Sequence, residues 1–103
     1  MSQKILQVNF TFSTSRAELE EAWLQIAQPI ADVPGLRWKV WLMNEAERLA
    51  GGLYLFESET AAQSYLDGPI VAALKASPGI SNISATLFDV LESHSAITSG
   101  PIR

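Results

Sequence analysis

From Lys4 to Phe12 the chain alternates. Leu6, Val8, Phe10 and Phe12 fall on one side, and Gln7, Asn9 and Thr11 on the other. Period two with aromatic content describes a half-buried strand. The period then changes. Ser15 with Glu18 has capping-box spacing: the hydroxyl can accept from a free backbone N–H and the carboxylate can reach back. Glu18, Glu20 and Glu21 follow where the helix dipole favours negative charge. Leu19, Trp23, Ile26 and Ile30 recur at spacings of four, three and four, which is one helical face. Pro34-Gly35 closes the connection after this helix.

Alternation resumes from Gly35 to Asn44. Leu36, Trp38, Val40 and Leu42 share one parity, and Arg37, Lys39, Trp41 and Met43 the other. Asn44 to Arg48 is polar and predicts a hairpin loop. A third strand spans Ala50 to Glu57, with Gly51-Gly52 inside it marking a bulge or a close backbone approach. Ser58 or Thr60 can cap a second helix through Ala61, Ala62, Tyr65 and Leu66. Asp67-Gly68-Pro69 interrupts it, and Pro69 suits the first turn of a new helical piece running to Lys75. Ser77-Pro78-Gly79 is a turn, and a fourth strand runs from about Ile83 to Leu91. Glu92 to Arg103 is rich in Ser, Thr, Gly and Pro and predicts a loosely held tail, flexible from about residue 93.

The order strand, helix, strand, strand, helix, strand is two split βαβ halves, so the fold class is α+β, ferredoxin-like. Helices cover one face of such a four-stranded antiparallel sheet. The strands nevertheless carry apolar residues on both faces. Trp41 and Met43 oppose Trp38 and Val40, and Leu53 and Leu55 oppose Tyr54 and Phe56. A second apolar face left wet would exceed the few hundred Å² that monomers tolerate. The expectation is a homodimer packed sheet against sheet; a monomer with scattered surface apolar residues is the alternative.

The 103 residues suit one domain, residues 1–103, large enough for its own core. With 48% apolar residues and 17% charged, disorder is excluded. No cysteine is present, which removes disulfides, thiolate metal sites and Cys nucleophiles. One histidine removes any multi-His metal site. A net charge of −4 argues against nucleic acid. No leader pattern and no continuous apolar run suggest a membrane, so the expected location is cytoplasmic. No phosphate loop, GxSxG or HExxH occurs.

What remains is a pocket lined by aromatics with a few polar atoms. Trp38 and Tyr54 share the parity assigned to the helix side, and each has a polar atom that seeks a partner when buried. They read as core aromatics or as pocket wall and donor residues. Tyr65 on the second helix is similar. Trp23 reads as core, and Arg37 and Lys39 as dimer or rim contacts. Asn9 is a strand amide on the polar parity, suited to a dimer-face hydrogen bond or to the pocket. His94 lies in the tail and matters only where the tail folds over a pocket.

Several blocks carry a specific resemblance. Pro34-Gly35-Leu36-Arg37-Trp38-Lys39-Val40-Trp41 resembles the PGxxWKVW segment of the YdhR-type putative mono-oxygenases. Ala50-Gly51-Gly52-Leu53-Tyr54-Leu55-Phe56 resembles their AGGxYLF strand, and Phe88-Asp89-Val90 the FDV of their last strand. The resemblance implies a dimeric α+β barrel and kinship with small oxygenases that oxidise polycyclic aromatic substrates without metal, haem or flavin. The family often has a His in the first strand, where this chain has Asn9. A His can act as a base near neutral pH; an Asn can only hydrogen-bond.

The resulting expectation is a cofactor-independent mono-oxygenase for an aromatic small molecule held between sheet and helices. Trp38, Tyr54 and Asn9 would be its catalytic residues; Tyr65, Phe56, Val40 and His94 would bind substrate. The rival is a non-catalytic binding or stress-response module of the same fold. A haem-binding relative would need His94 as its axial ligand.

Overall fold

The structure, a computed structural model, describes residues 2–102. In chain order the elements are β1 (Lys4–Phe12), α1 (Arg16–Ala31), β2 (Leu36–Asn44), β3 (Leu49–Phe56), α2 (Glu59–Leu66), α3 (Pro69–Ala76), β4 (Ile80–Asp89) and α4 (Glu92–Ile97). The four strands form one antiparallel sheet in the order β2-β3-β1-β4. That is the expected ferredoxin-like arrangement.

Local chemistry accounts for the boundaries. Ser15 caps α1, its Oγ accepting from the Glu18 N–H at 3.1 Å. The Glu18 carboxylate accepts from that same hydroxyl rather than from the backbone of Ser15. Ser58, not Thr60, caps α2 by accepting from the Ala61 N–H at 3.1 Å. Gly35 and Gly79, the glycines of the two Pro-Gly pairs, both have φ +83°. Only a residue without a Cβ adopts that region freely. Each then places its carbonyl against the end of a neighbouring strand. Gly35 O accepts from the Glu57 N–H at 2.8 Å, and Gly79 O from the Ser13 N–H at 2.9 Å.

The helix side of the sheet is the core. Leu6, Val8, Phe10 and Phe12 of β1 pack there with Ala50, Tyr54 and Phe56 of β3 and Leu19, Ile30, Ala62, Tyr65 and Val71 of the helices. In β2 the expected parity is reversed. Leu36 pairs with Phe56, but Trp38 pairs with Leu55, so the register shifts by one residue around Arg37. A one-residue bulge turns every later side chain to the other face. Lys39 and Trp41, opposite Tyr54 and Gly52, therefore face the helices. Trp38, Val40 and Leu42 face away from them, contrary to expectation.

Gly51-Gly52 marks a close approach, without a register shift between β1 and β3. A Cβ on Gly51 would overlap the Val8 carbonyl. β4 starts earlier than expected, at Ile80, and Glu92–Ile97 is helical where a loose tail is expected. The tail also folds back. The Trp38 indole N–H donates to the Pro101 carbonyl at 2.6 Å, and Gln3 Nε2 donates to the Ile102 carbonyl at 2.8 Å. Leu55, on the face away from the helices, is 0% exposed.

Candidate functional site

A cavity of about 560 Å³ lies between α1, α3 and the inner face of β1–β3. Ligand pockets span roughly 300–1,000 Å³. Its walls are mainly apolar and aromatic, with Phe10, Trp23 and Trp41 forming one contiguous group. The Trp23 and Trp41 rings are 5.1 Å apart, and Trp23 meets Phe10 edge-on at 6.4 Å. A second, more open depression of about 570 Å³ lies between the end of α1 and α2, and shares Tyr65 with the first.

Thr14, Glu18 and Ser77 also line the cavity between α1 and α3, and two polar features on the sheet side and α2 stand within its apolar wall. The first is a phenol pair: the Tyr54 and Tyr65 hydroxyls are 3.0 Å apart and buried. Two hydroxyls hold two hydrogens and their mutual bond uses one, so the pair keeps one O–H to donate. Burial pushes the Tyr54 phenol far above the ordinary tyrosine range. Burial raises Tyr65 as well, against the opposing effect of its bond to Tyr54. Both phenols are neutral in any physiological buffer.

The second feature is Lys39. Its Nζ lies 3.3 Å from the centre of the Trp41 ring and 4.6 Å from that of Tyr54. Gly52 makes the room, since a Cβ there would come within 2.6 Å of the Lys39 Cε. Among the described residues no carboxylate lies within 4.0 Å of this nitrogen. Burial without a counter-ion pushes the amine down to about 7. The ring faces favour the ammonium and oppose that push. Lys39 is thus a cavity group poised to exchange a proton near neutrality.

The expected site residues divide accordingly. Tyr54 and Tyr65 are brought together in the cavity. Phe56 is 0% exposed behind them, stacked on Tyr54 at 6.0 Å, so it supports the wall rather than lining it. Trp38 and Val40 are corrected by the β2 bulge: both lie on the opposite face, Trp38 tied to the tail and Val40 49% exposed. Asn9 is on that face too, paired with Gly51 and Ser84. His94 is exposed on α4 and does not line the cavity. Lys39 and Trp41 replace Trp38 and Val40. Strict alternation hid them, and only an uncounted bulge residue could have revealed them.

Fold and site define a ferredoxin-like α+β protein with an apolar, aromatic-walled cavity holding a lysine and a tyrosine pair. The family model described as putative mono-oxygenase ydhR matches residues 5–101, and the chain belongs to that family. Among solved structures it is similar to a protein of unknown function from Nitrosomonas europaea, with 22% identity, 88% of this chain and 91% of that one covered, and TM-score 0.70. It is also similar to SnoaB, a cofactor-independent oxygenase from Streptomyces nogalater (20% identity, 87% and 94% covered, TM-score 0.69). The heme-degrader MhuD from Mycobacterium tuberculosis is similar at 22% identity, with 84% and 95% covered and TM-score 0.65. At these identities the likenesses establish the shared fold. No curated protein matches the sequence.

Proposed function

We propose that this chain is a cofactor-independent mono-oxygenase acting on a polycyclic aromatic small molecule bound between sheet and helices. The observation that carries this reading is the 560 Å³ aromatic-walled cavity with its few polar groups, in a chain of the ydhR family. The cofactor-independent oxygenase SnoaB on the same fold supports it.

The chemistry needs a substrate that supplies its own electrons, such as a fused-ring phenol or an activated ring methylene. Loss of a proton gives an anion spread over the rings. That anion reduces dioxygen; one oxygen atom becomes a ring carbonyl and the other leaves as water. For a methylene the balance is CH₂ + O₂ → C=O + H₂O. Trp23 and Trp41 would stack the rings, the remaining Tyr54–Tyr65 O–H would donate to the oxyanion, and the apolar wall would exclude water. The working unit is a homodimer joined through the sheet faces turned away from the helices.

Oxygen uptake with a panel of hydroxyanthraquinones and anthrones, in chelator-treated buffer without flavin, tests the activity. Uptake equimolar with quinone formation is expected, and the double variant Tyr54→Phe with Tyr65→Phe, which leaves neither phenol O–H, should slow it about tenfold to a hundredfold. A panel that gives no uptake while ligands bind would favour a binding module instead.

A further inference from the structure

We infer that Lys39 is the proton acceptor of the cavity, taking the proton of an acidic hydroxyl on a fused-ring phenol or enol and holding the resulting oxyanion as an ammonium. This rests on the preceding reading only in placing such a ligand in this cavity. In the transfer the substrate O–H bond breaks, a third N–H bond forms on Nζ, and no electron moves. The product is an adjacent ammonium–phenolate pair, electron-rich at the ring carbons.

The surroundings leave Lys39 alone in that role. From β3 and α2 come Tyr54 and Tyr65, which bond each other at 3.0 Å and stay neutral. From α1 comes Glu18, whose carboxylate accepts from the Ser15 hydroxyl at the helix start. β1 and α3 present apolar side chains to the cavity, such as Val8, Phe10, Ile70 and Leu74. Among the described residues no carboxylate lies within 4.0 Å of Nζ, so the place of a counter-ion is open for the ligand. The indole and phenol faces at 3.3 and 4.6 Å can hold the ammonium once it forms. The depressed basicity of the amine keeps a large neutral fraction available near pH 7. A lysine with an ordinary pKa would be protonated already and could accept nothing.

The probe is 2-hydroxyanthraquinone, whose phenol and phenolate differ in colour. It is mixed with the full-length protein just below the pH at which the free dye ionises. The wild-type protein is expected to bind it with the phenolate spectrum. Labelling of lysine with ¹³C and ¹⁵N should show the Lys39 resonances moving to ammonium positions. Lys39→Met, checked for folding by circular dichroism, should bind the dye about tenfold more weakly and in its neutral form. A neutral-phenol spectrum in wild type, a phenolate spectrum that persists in Lys39→Met, unmoved lysine resonances, or no binding by wild type would each overturn the inference. Oxygen uptake on the same samples separates the two readings. A phenolate spectrum without turnover removes only the oxygenase; turnover of a ligand bound neutral removes only the role of Lys39.

Discussion

Lys39 makes the stability of this protein depend on pH in a defined direction. Unfolded, the amine has an ordinary value near 10.5; folded, burial lowers it to about 7. Between those values the unfolded chain binds the extra proton, so stability rises with pH across the window and is lowest below 7. Lys39→Met abolishes that titration while keeping the stem that packs over Gly52. The variant should be more stable than the parent near neutral pH by about 1 kcal/mol or more, or roughly 4–8 °C in Tm. The advantage should shrink as pH rises toward 10. Melting curves in a buffer series check this, and a difference independent of pH would show the amine to be unperturbed. Tyr54 and Tyr65 were legible as polar-tipped aromatics seeking partners. Lys39 was not, because a lysine in an alternating strand reads as solvated until something reverses its face.

The element responsible is β2. Only its first residue, Leu36, keeps the side that alternation assigns, and one extra residue around Arg37 inverts the rest of the strand. Trp38 and Trp41 exchange places as a result: the expected pocket indole is bonded to Pro101, and the expected dimer-face indole lines the cavity. β3 behaves differently because its glycines are needed for space. A Cβ on Gly51 meets the backbone of Val8, which cannot move without parting β1 from β3. On Gly52 it meets the flexible end of Lys39 at 2.6 Å, with the Val40 carbonyl at 3.2 Å. Gly51→Ala should therefore cost about 3 kcal/mol, with a lower urea midpoint and an unchanged slope. Gly52→Ala should cost less and instead displace the lysine, read as a rise in its pKa by NMR. Equal destabilisation by the two would contradict this placement.

At the scale of the whole molecule, the face of the sheet away from the helices decides the assembly. At one end the returning tail bonds Gln3 and Trp38, and Leu55, paired with Ile5 and Trp38, is 0% exposed. Elsewhere Val40 and Phe88 remain 49% and 47% exposed, with Leu42 and Leu53 between the strands' polar positions. Asn9, Thr11 and Ser84 line the β1–β4 side. A monomer would leave this mixed surface in water; a second copy would bury it. Light scattering at micromolar concentration should give twice the 11.2 kDa subunit mass. Val40→Glu should return the mass to that of one chain, because a carboxylate buried without a partner is strongly unfavourable. A wild-type monomer would remove the dimer from the proposal.

The sequence by itself determined the elements and their order from β1 to β4, but not the short α4. Hydrophobic period, the cap at Ser15, the choice of Ser58 or Thr60 as the second cap, the Pro-Gly turns and the glycines of β3 are local signals, each complete within a few residues. Those same signals carried the ferredoxin-like class and two of the cavity's polar groups. Which face of β2 meets the helices was decided only by tertiary structure. Side-chain parity beyond a bulge is set by pairing with β3, where Trp38 meets Leu55, 17 residues further along the chain, and a slip of one position inverts everything after it. The tail was decided the same way. Its composition describes a segment with little core of its own, and its hydrogen bonds to Gln3 and Trp38 arise only when the sheet has brought the two ends of the chain together.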